Sequence, residues 1–226
     1  MPVTAPTRRT ATVLGAAALA LCTLCASGCM LGALVGGMEE SRRRSSTRAV
    51  AASYDGLAGK SFAVVVAADR IIQADHPDVV PLLTYRISEQ LRNHAGAAGF
   101  VPPDRVMGFL SANPRWVAMA PEELADRLGV ERLVHVELQE FRLNDPGNQY
   151  LWAGVAAGTI SVVEADGPAP EVFGFQEAIS VDFPDQTGYG PAEMSAQVVK
   201  TALARRFIDR ASWLFYEHQE PYYPEY

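Results

Sequence analysis

The amino-terminal end of this 226-residue chain is a basic pair of residues followed by a long uncharged run. Arg8 and Arg9 precede the segment 10–27 (TATVLGAAALALCTLCAS), which is mostly Ala and Leu and leads into Gly28 and Cys29. A basic head, an apolar stretch and small residues before a cleavage point are typical of a secretory signal. Such a segment is removed from the mature protein, so we expect only the residues after it to fold.

The cysteine directly after the small residues makes this end resemble a bacterial lipoprotein signal with its lipobox. The resemblance implies cleavage after Gly28, lipid on the thiol of Cys29 and acylation of the new amino terminus. Cys22 and Cys25 fit less well, because a leucine precedes each of them where a small residue is needed. Met30 follows the cysteine, whereas an Asp there retains lipoproteins in the inner membrane of enteric-type bacteria. We therefore expect a lipid anchor in the outer membrane, on its periplasmic face, with the inner membrane as the alternative.

An uncleaved membrane anchor is the alternative interpretation of this end. The uncharged run continues through residues 30–38, which makes it long enough to span a bilayer as a helix. Four arginines in 42–48 outnumber the two near the start, so loop charge does not exclude a retained helix. Three glycines in 32–37 favour a flexible tether instead, and the cleaved, lipidated form is the prediction.

The distribution of charge and cysteine excludes several classes of function. After residue 54 the chain has thirteen Lys and Arg against twenty-four Asp and Glu, so the part that folds is acidic. Contacts to phosphate need clustered basic residues, which disfavours binding to nucleic acid or to anionic lipid. All three cysteines lie at or before Cys29, which excludes an internal disulfide in the mature chain and a thiolate zinc site. Apolar burial must therefore stabilise the core.

Helical patterns dominate the first half of the folding region. Residues 61–68 (SFAVVVAA) are apolar after the first position, which predicts a strand buried on both faces. A helix capped by Asp78 is predicted over 78–94, where Leu and Ile recur every fourth residue. Two shorter helices are predicted, over 103–112 and 121–128.

The pattern then changes to the alternation of strands. In 132–142, apolar residues alternate with His135, Glu137 and Gln139, which predicts a strand with one apolar and one polar face. Further strands are predicted over 150–164 and 171–182, the last with Phe173, Phe175, Ile179 and Val181 on one side, and a long helix over 191–218.

The predicted fold class is α+β, a mixed β-sheet in the order β-α-α-α-β-β-β-α with helices packed on one face. The predicted organisation is a lipoprotein signal peptide at 1–28, a flexible tether at 29–58, a single α+β domain at 59–218 and a loose tail at 219–226.

Motifs for catalysis, metal binding or cofactor binding are missing from the sequence. The four histidines form no H-x-x-x-H or H-E-x-x-H pair, and no serine lies in G-x-S-x-G. Residues 56–61 end in G-K-S like a phosphate loop, but they precede a strand, whereas a phosphate loop follows one. We therefore expect no catalytic residue, no metal site and no cofactor.

Four residues are the candidates for binding a partner. His135, Glu137 and Gln139 share the polar face of a strand, on the side of the sheet that helices are not expected to cover. Tyr189 lies between two glycines in the loop 182–193. These residues predict a docking surface for another protein, although a solvated strand face explains the first three equally well.

The order of elements resembles a known type of domain. The run 62–69 (FAVVVAAD), a helix ending in 88–94 (SEQLRNH) and the segment 122–141 (EELADRLGVERLVHVELQEF) are similar to the CsgG and TolB amino-terminal type, which includes the FlgO and LpoB groups. The likeness covers about residues 59–216. It implies an envelope lipoprotein, and the missing membrane-crossing hairpins argue against a pore.

Three functions are compatible with these features. The leading hypothesis is a lipoprotein anchored in the membrane through Cys29, whose domain binds another envelope protein without catalysis. The first alternative is a ring-forming subunit of an export or assembly complex, which makes a homo-oligomer a further expectation. The second is an envelope hydrolase whose site has no recognisable motif.

Overall fold

The computed structural model describes residues 47–221 of the chain. The predicted cleavage and lipidation site at Gly28 and Cys29 lies outside the described residues. In chain order the elements are β1 (Thr47–Val50), β2 (Ser61–Ala68), α1 (Arg70–Asp75), α2 (Val79–His94), β3 (Gly99–Phe100), α3 (Pro103–Ala112), a 3-10 turn (Trp116–Ala118), α4 (Pro121–Leu128), β4 (Arg132–Arg142), β5 (Gly154–Glu164), β6 (Phe173–Phe183), α5 (Ala196–Trp213) and β7 (His218–Pro221).

The chain divides into two units. The described residues of the smaller unit are 47–48 and 219–221, and in it the guanidinium of Arg48 lies 3.5 Å from the carboxylate of Glu220. The strands β1 and β7 form a separate two-stranded sheet. The larger unit is built on a five-stranded sheet in the order β3-β2-β4-β5-β6. Its β2 runs parallel to both β3 and β4, while β4, β5 and β6 form an antiparallel meander. The predicted α+β class with a mixed sheet is confirmed.

Helices cover both faces of the sheet, so the expectation that they pack on one face was wrong. On β2, Phe62 and Val64 belong to a core that includes α2 and α5, whereas Ala63 and Val65 belong to a second core that includes α3 and α4. All four side chains are at most 1% exposed. A strand buried on both faces is apolar at successive positions, which is the pattern of this segment.

The direction of the two crossovers explains why the helices lie on opposite faces. The chain goes from β2 to its parallel neighbour β3, and then returns past β2 to reach β4 on the other side. Connections between parallel strands are right-handed in nearly all proteins. Two right-handed crossovers that run in opposite directions along a sheet place their helices on opposite faces. The hairpins that follow β4 need no helix, which leaves part of the second face uncovered.

Residues just before β2 are part of the core, although they were expected in the tether. The side chain of Leu57 is fully buried. The ring of Tyr54 lies 5.3 Å from that of Phe175 and 6.0 Å from that of Phe215, and its hydroxyl donates to Glu164 Oε1 at 2.7 Å. Tyr54 and Leu57 therefore belong to the packed larger unit, and burial raises the pKa of the Tyr54 phenol.

A cluster of charged residues ties this entry segment to the sheet. The Lys60 ammonium lies 2.5 Å from the carboxylate of Asp166 and 3.0 Å from that of Glu131. The buried guanidinium of Arg132 also pairs with Asp166 and donates to the carbonyl of Gly56 at 3.1 Å. Hydrogen bonds from Lys60 and Arg132 lower the pKa of Asp166 to about 2. These contacts explain why the charged residues cluster here: they hold the segment before β2 against the sheet.

Several predicted details of the elements differ because side chains found other partners. Asp78 occupies the N-cap position of α2, but its carboxylate makes no capping hydrogen bond and pairs with Lys200, which lowers its pKa. The strand β5 begins at Gly154 and not at residue 150, because the preceding loop is held by the loop after β6. The backbone N–H of Trp152 donates to the carbonyl of Tyr189 at 2.8 Å, and its indole donates to the carbonyl of Met194 at 2.8 Å.

Candidate partner-binding surface

The antiparallel half of the second sheet face forms a polar surface that no described helix covers. Helices α3 and α4 pack over β2 and the neighbouring ends of β4 and β5, and leave the rest of that face to solvent. The strand register shows which residues face this side. We call this the open surface: His135, Glu137, Gln139, Glu140, Arg142, Val155, Ala157, Thr159, Ser161, Phe173, Gln176, Ala178, Ser180 and Asp182.

The structure places three of the four candidate residues in one row of the open surface. His135 pairs with Ser161 and Glu137 with Thr159 on the neighbouring strand. The side-chain amide of Gln139 donates to the hydroxyl of Thr159 at 3.1 Å, which puts Gln139 on the same side. Glu137 and Gln139 are exposed, and His135 is half-buried.

A β-bulge adds Glu140 to this row. Strict alternation places Glu140 on the opposite side from Glu137. The register instead pairs Leu138 with Gly158 and Glu140 with Ala157, so Gln139 is an extra residue in β4. Beyond the bulge, Glu140 faces the open surface, where its carboxylate accepts from Arg142 Nε at 2.5 Å.

A second irregularity brings an aromatic ring to the open surface. The register of β5 and β6 shifts between Val162 and Val163, so Phe173 faces the opposite side from Phe175. The expectation that these two phenylalanines share one side was therefore wrong. The ring of Phe173 stacks on His135 with centroids 6.3 Å apart and remains 38% exposed. The end of the open surface nearest α4 thus carries an aromatic pair in which the ring of Phe173 faces solvent.

The electrostatics of His135 follow from its position between the open surface and α4. Burial lowers the pKa of its imidazole, and the charge of Glu137 opposes that shift. His135 and Glu137 also line a recess of about 230 Å³, together with Trp116, Met119 and Leu124. The imidazole is therefore neutral near pH 7, and it presents a ring face and hydrogen-bonding nitrogens without adding a positive charge.

A groove that the sequence pattern did not reveal lies at the carboxyl end of β2. It has a volume of about 750 Å³, and its lining combines apolar side chains such as Trp116 and Val117 with polar ones such as Asp69, Arg70 and Gln73. Val117 is 72% exposed. Grooves form at this place in α/β sheets because the crossovers leave the central strand on opposite faces. The signal that could have revealed it is the segment 114–119 (PRWVAM), where apolar side chains follow a helix end.

Tyr189 lies apart from the row on β4. It is in the loop after β6, where its carbonyl accepts from Trp152 and its hydroxyl lies 3.5 Å from Gln186 Oε1. The main chain of Tyr189 therefore links the loop before β5 to the loop after β6. The half-buried ring of Tyr189 lies beyond the carboxyl-terminal ends of β4 and β6.

Within residues 47–221, no three His, Cys, Asp or Glu side chains are grouped so that they could hold a metal ion. No helix there combines the length and the hydropathy needed to cross a bilayer.

Comparisons with known proteins yielded structural similarity only. No family model matches the sequence, and no curated protein matches it. Similar solved structures include the lipoprotein GNA1162 from Neisseria meningitidis, with 12% identity over 67% of this chain and 97% of that one and a TM-score of 0.43. The PelC dodecamer from Paraburkholderia phytofirmans has 14% identity over 76% and 99%, with a TM-score of 0.40. Protein XCC0632 from Xanthomonas campestris has 10% identity over 74% and 87%, with a TM-score of 0.44.

These similarities concern the arrangement of strands and helices alone. The resemblance to CsgG and TolB amino-terminal domains stays a prediction.

The lowered pKa of His135 predicts how stability depends on pH. Its unfolded-state pKa is about 6.5, so below that pH the unfolded chain binds a proton that the native imidazole resists, and stability falls. We expect His135→Gln to flatten the fall in melting temperature between pH 7.5 and 5. Some dependence of the melting temperature on pH should remain in this variant, because burial lowers the pKa of His76 too. Equal slopes for the variant and the natural chain would show that His135 protonates freely in the native state.

Proposed function

We propose that this protein is a lipid-anchored module of the bacterial cell envelope that binds another protein through the open surface and catalyses no reaction. The observation that carries the proposal is the uncovered half of the second sheet face, with the stacked pair of His135 and Phe173 at the end nearest α4. Aromatic side chains that are partly exposed on a rigid sheet lose little conformational freedom on binding and are common at the centre of interfaces. Strands hold the flanking polar groups in place as well.

The charges of the open surface indicate the chemistry of the partner. Glu137, Glu140 and Asp182 are acidic, and the single cation, Arg142, is already paired with Glu140 at 2.5 Å and with Asp145 at 2.7 Å. A partner with exposed Lys or Arg complements this surface. Charge pairs at the rim of an interface are screened by salt, so the association weakens as ionic strength rises.

The anchor is proposed to be lipid on Cys29, in the outer membrane, with the inner membrane as the alternative. Each buried methylene of an acyl chain contributes about 0.8 kcal/mol to membrane binding. Two or three acyl chains then hold a folded domain at the membrane without a spanning helix.

Charge reversal at Glu137 tests the binding surface. Its carboxylate is exposed and faces solvent, so Glu137→Lys should leave the melting temperature within a degree or two. We expect the variant to recover several-fold less partner than the natural chain from detergent-solubilised envelopes, because a basic partner patch meets a like charge. Recovery should also fall as salt is raised from 50 to 500 mM.

Glu89→Lys is the matched control, since it makes the same change of charge on α2, on the opposite face of the sheet, where Glu89 pairs only with Arg86 at 2.8 Å. It should leave recovery unchanged. If both reversals lower recovery equally, overall charge and not the open surface governs binding. If neither does, the surface lies elsewhere, and the loop of Tyr189 is the next place to test.

A further inference from the structure

The outermost strand of the sheet is a long edge with little protection. β6 contains eleven residues, and among the described residues no strand pairs with its outer side. Natural proteins usually protect such an edge with Pro or Lys, or keep it short. The sequence of β6 (FGFQEAISVDF) contains neither residue. The carbonyl of Asp182 accepts from Arg206 at one end of this edge, and the outward N–H and C=O groups before it are available to another strand.

The opposite edge of the sheet cannot accept this strand. It is formed by β3, which contains only Gly99 and Phe100. Joining β6 of one copy to β3 of the next pairs at most two residues, which is too little for a head-to-tail ring built through the sheet. Of the two edge strands of the described five-stranded sheet, only β6 is long enough to pair along β6 of another copy.

We propose that two copies of this chain associate by antiparallel pairing of β6 with β6, about a two-fold axis at Ala178. This register pairs residues 175–181, the regular part of β6 that follows the bulge at Gly174. It places Phe175 opposite Val181, Gln176 opposite Ser180 and Glu177 opposite Ile179. Like charges never face each other, whereas a register centred on Glu177 places two carboxylates opposite each other and is destabilising.

The position of α5 above this edge also favours a second copy of the chain as the binding partner. Arg206 on α5 donates to the carbonyl of Asp182 near the end of β6 at 2.6 Å, so this flank of α5 lies over the edge. Beside Arg206 runs a groove of mixed character, in which Val198 and Ala202 lie among polar and charged side chains that include Arg205 and Asp209, and Val198 is 51% exposed. In the dimer this groove faces α5 of the second copy, and the small side chain of Ala202 permits a close approach.

The pairing produces one ten-stranded sheet. Antiparallel strands in a sheet are related by an axis perpendicular to it, so the open surfaces of both copies lie on the same side. A partner then meets two copies of the row on β4. Self-association does not depend on partner binding, because Glu137 lies two strands away from the edge.

Site-directed cross-linking of the full chain in detergent tests the register. In Ala178→Cys the two thiols face each other across the axis, with Cβ atoms about 4.5–5.5 Å apart. A short bifunctional thiol reagent should convert most of the protein to a covalent dimer. Ser180→Cys, on the same exposed face, is the control, because its two copies lie roughly 14 Å apart at about 3.4 Å per residue. It should not be cross-linked, and the parent chain with its own cysteines sets the background.

Two further variants give independent results. The double variant Gln176→Cys with Ser180→Cys should cross-link again, since these positions face each other between copies. Ala178→Lys should remain folded but show the mass of one copy by light scattering, whereas Glu137→Lys should keep the mass of two. Cross-linking of Ser180→Cys equal to that of Ala178→Cys overturns the register. A single-copy mass for the natural chain, or a mass well above two copies, overturns the dimer itself.

Discussion

Phe207→Ala is expected to destabilise the larger unit by about 3–5 kcal/mol, the usual cost of truncating a buried Phe. The side chain of Phe207 is fully buried on α5, in the core between α2 and the sheet. It fits there because Gly158 on β5 has no side chain: a Cβ at that position would lie 3.2 Å from Phe207 Cζ and 2.5 Å from the carbonyl oxygen of Glu137. Whole domains are stable by about 5–15 kcal/mol, so this loss is a large fraction.

Thermal unfolding measures this loss. At about 2–4 °C per kcal/mol for a domain of this size, the melting temperature should fall by roughly 6–20 °C. Val198→Ala is the control on the same helix, because Val198 is 51% exposed. It should change stability by less than about 0.5 kcal/mol, as surface substitutions usually do. Equal shifts for the two variants would mean that α5 does not seal the first face of the sheet.

Cys29→Ser is expected to abolish lipidation. A hydroxyl does not replace the thiol that carries the lipid, so the signal should stay attached and the protein should accumulate as a larger, unmodified precursor. Metabolic labelling with a fatty acid, followed by electrophoresis, measures both effects.

Cys25→Ser is the matched control, since Leu24 precedes that cysteine where a small residue is needed, and it should be labelled and processed normally. A Cys29→Ser variant labelled as strongly as the natural chain would exclude Cys29 as the anchor. Recovery of the mature protein only from inner-membrane fractions would contradict the outer-membrane prediction.

Elements with strong periodicity were predictable from sequence. The bounds of β2, α3, α4 and β4 agree with the predicted ones to the residue. Each has an unambiguous start or end, such as Pro121 at the beginning of α4 and Gly129 in the left-handed conformation just after it. The two-residue β3 and the short α1 were missed, because segments this short carry no period.

The candidate surface was predictable only in part. Alternation correctly grouped His135, Glu137 and Gln139, since side chains in a regular strand point to alternate faces. The positions of Glu140 and Phe173 depend on bulges in β4 and β6. A bulge is set by how two strands pair and by where Gly158 admits a close backbone contact, and neither property is local to the strand concerned.

Residue patterns along the chain were enough to predict that β2 is buried on both faces and that β4 has a polar and an apolar side. Which helices cover which face, and that the antiparallel half of the second face stays open, became clear only from the folded arrangement. Chain direction and the right-handed crossover place α3 and α4 opposite α2, and these are relations between distant segments. Local residue patterns report how buried a strand is. Which elements bury it depends on how the whole chain is connected.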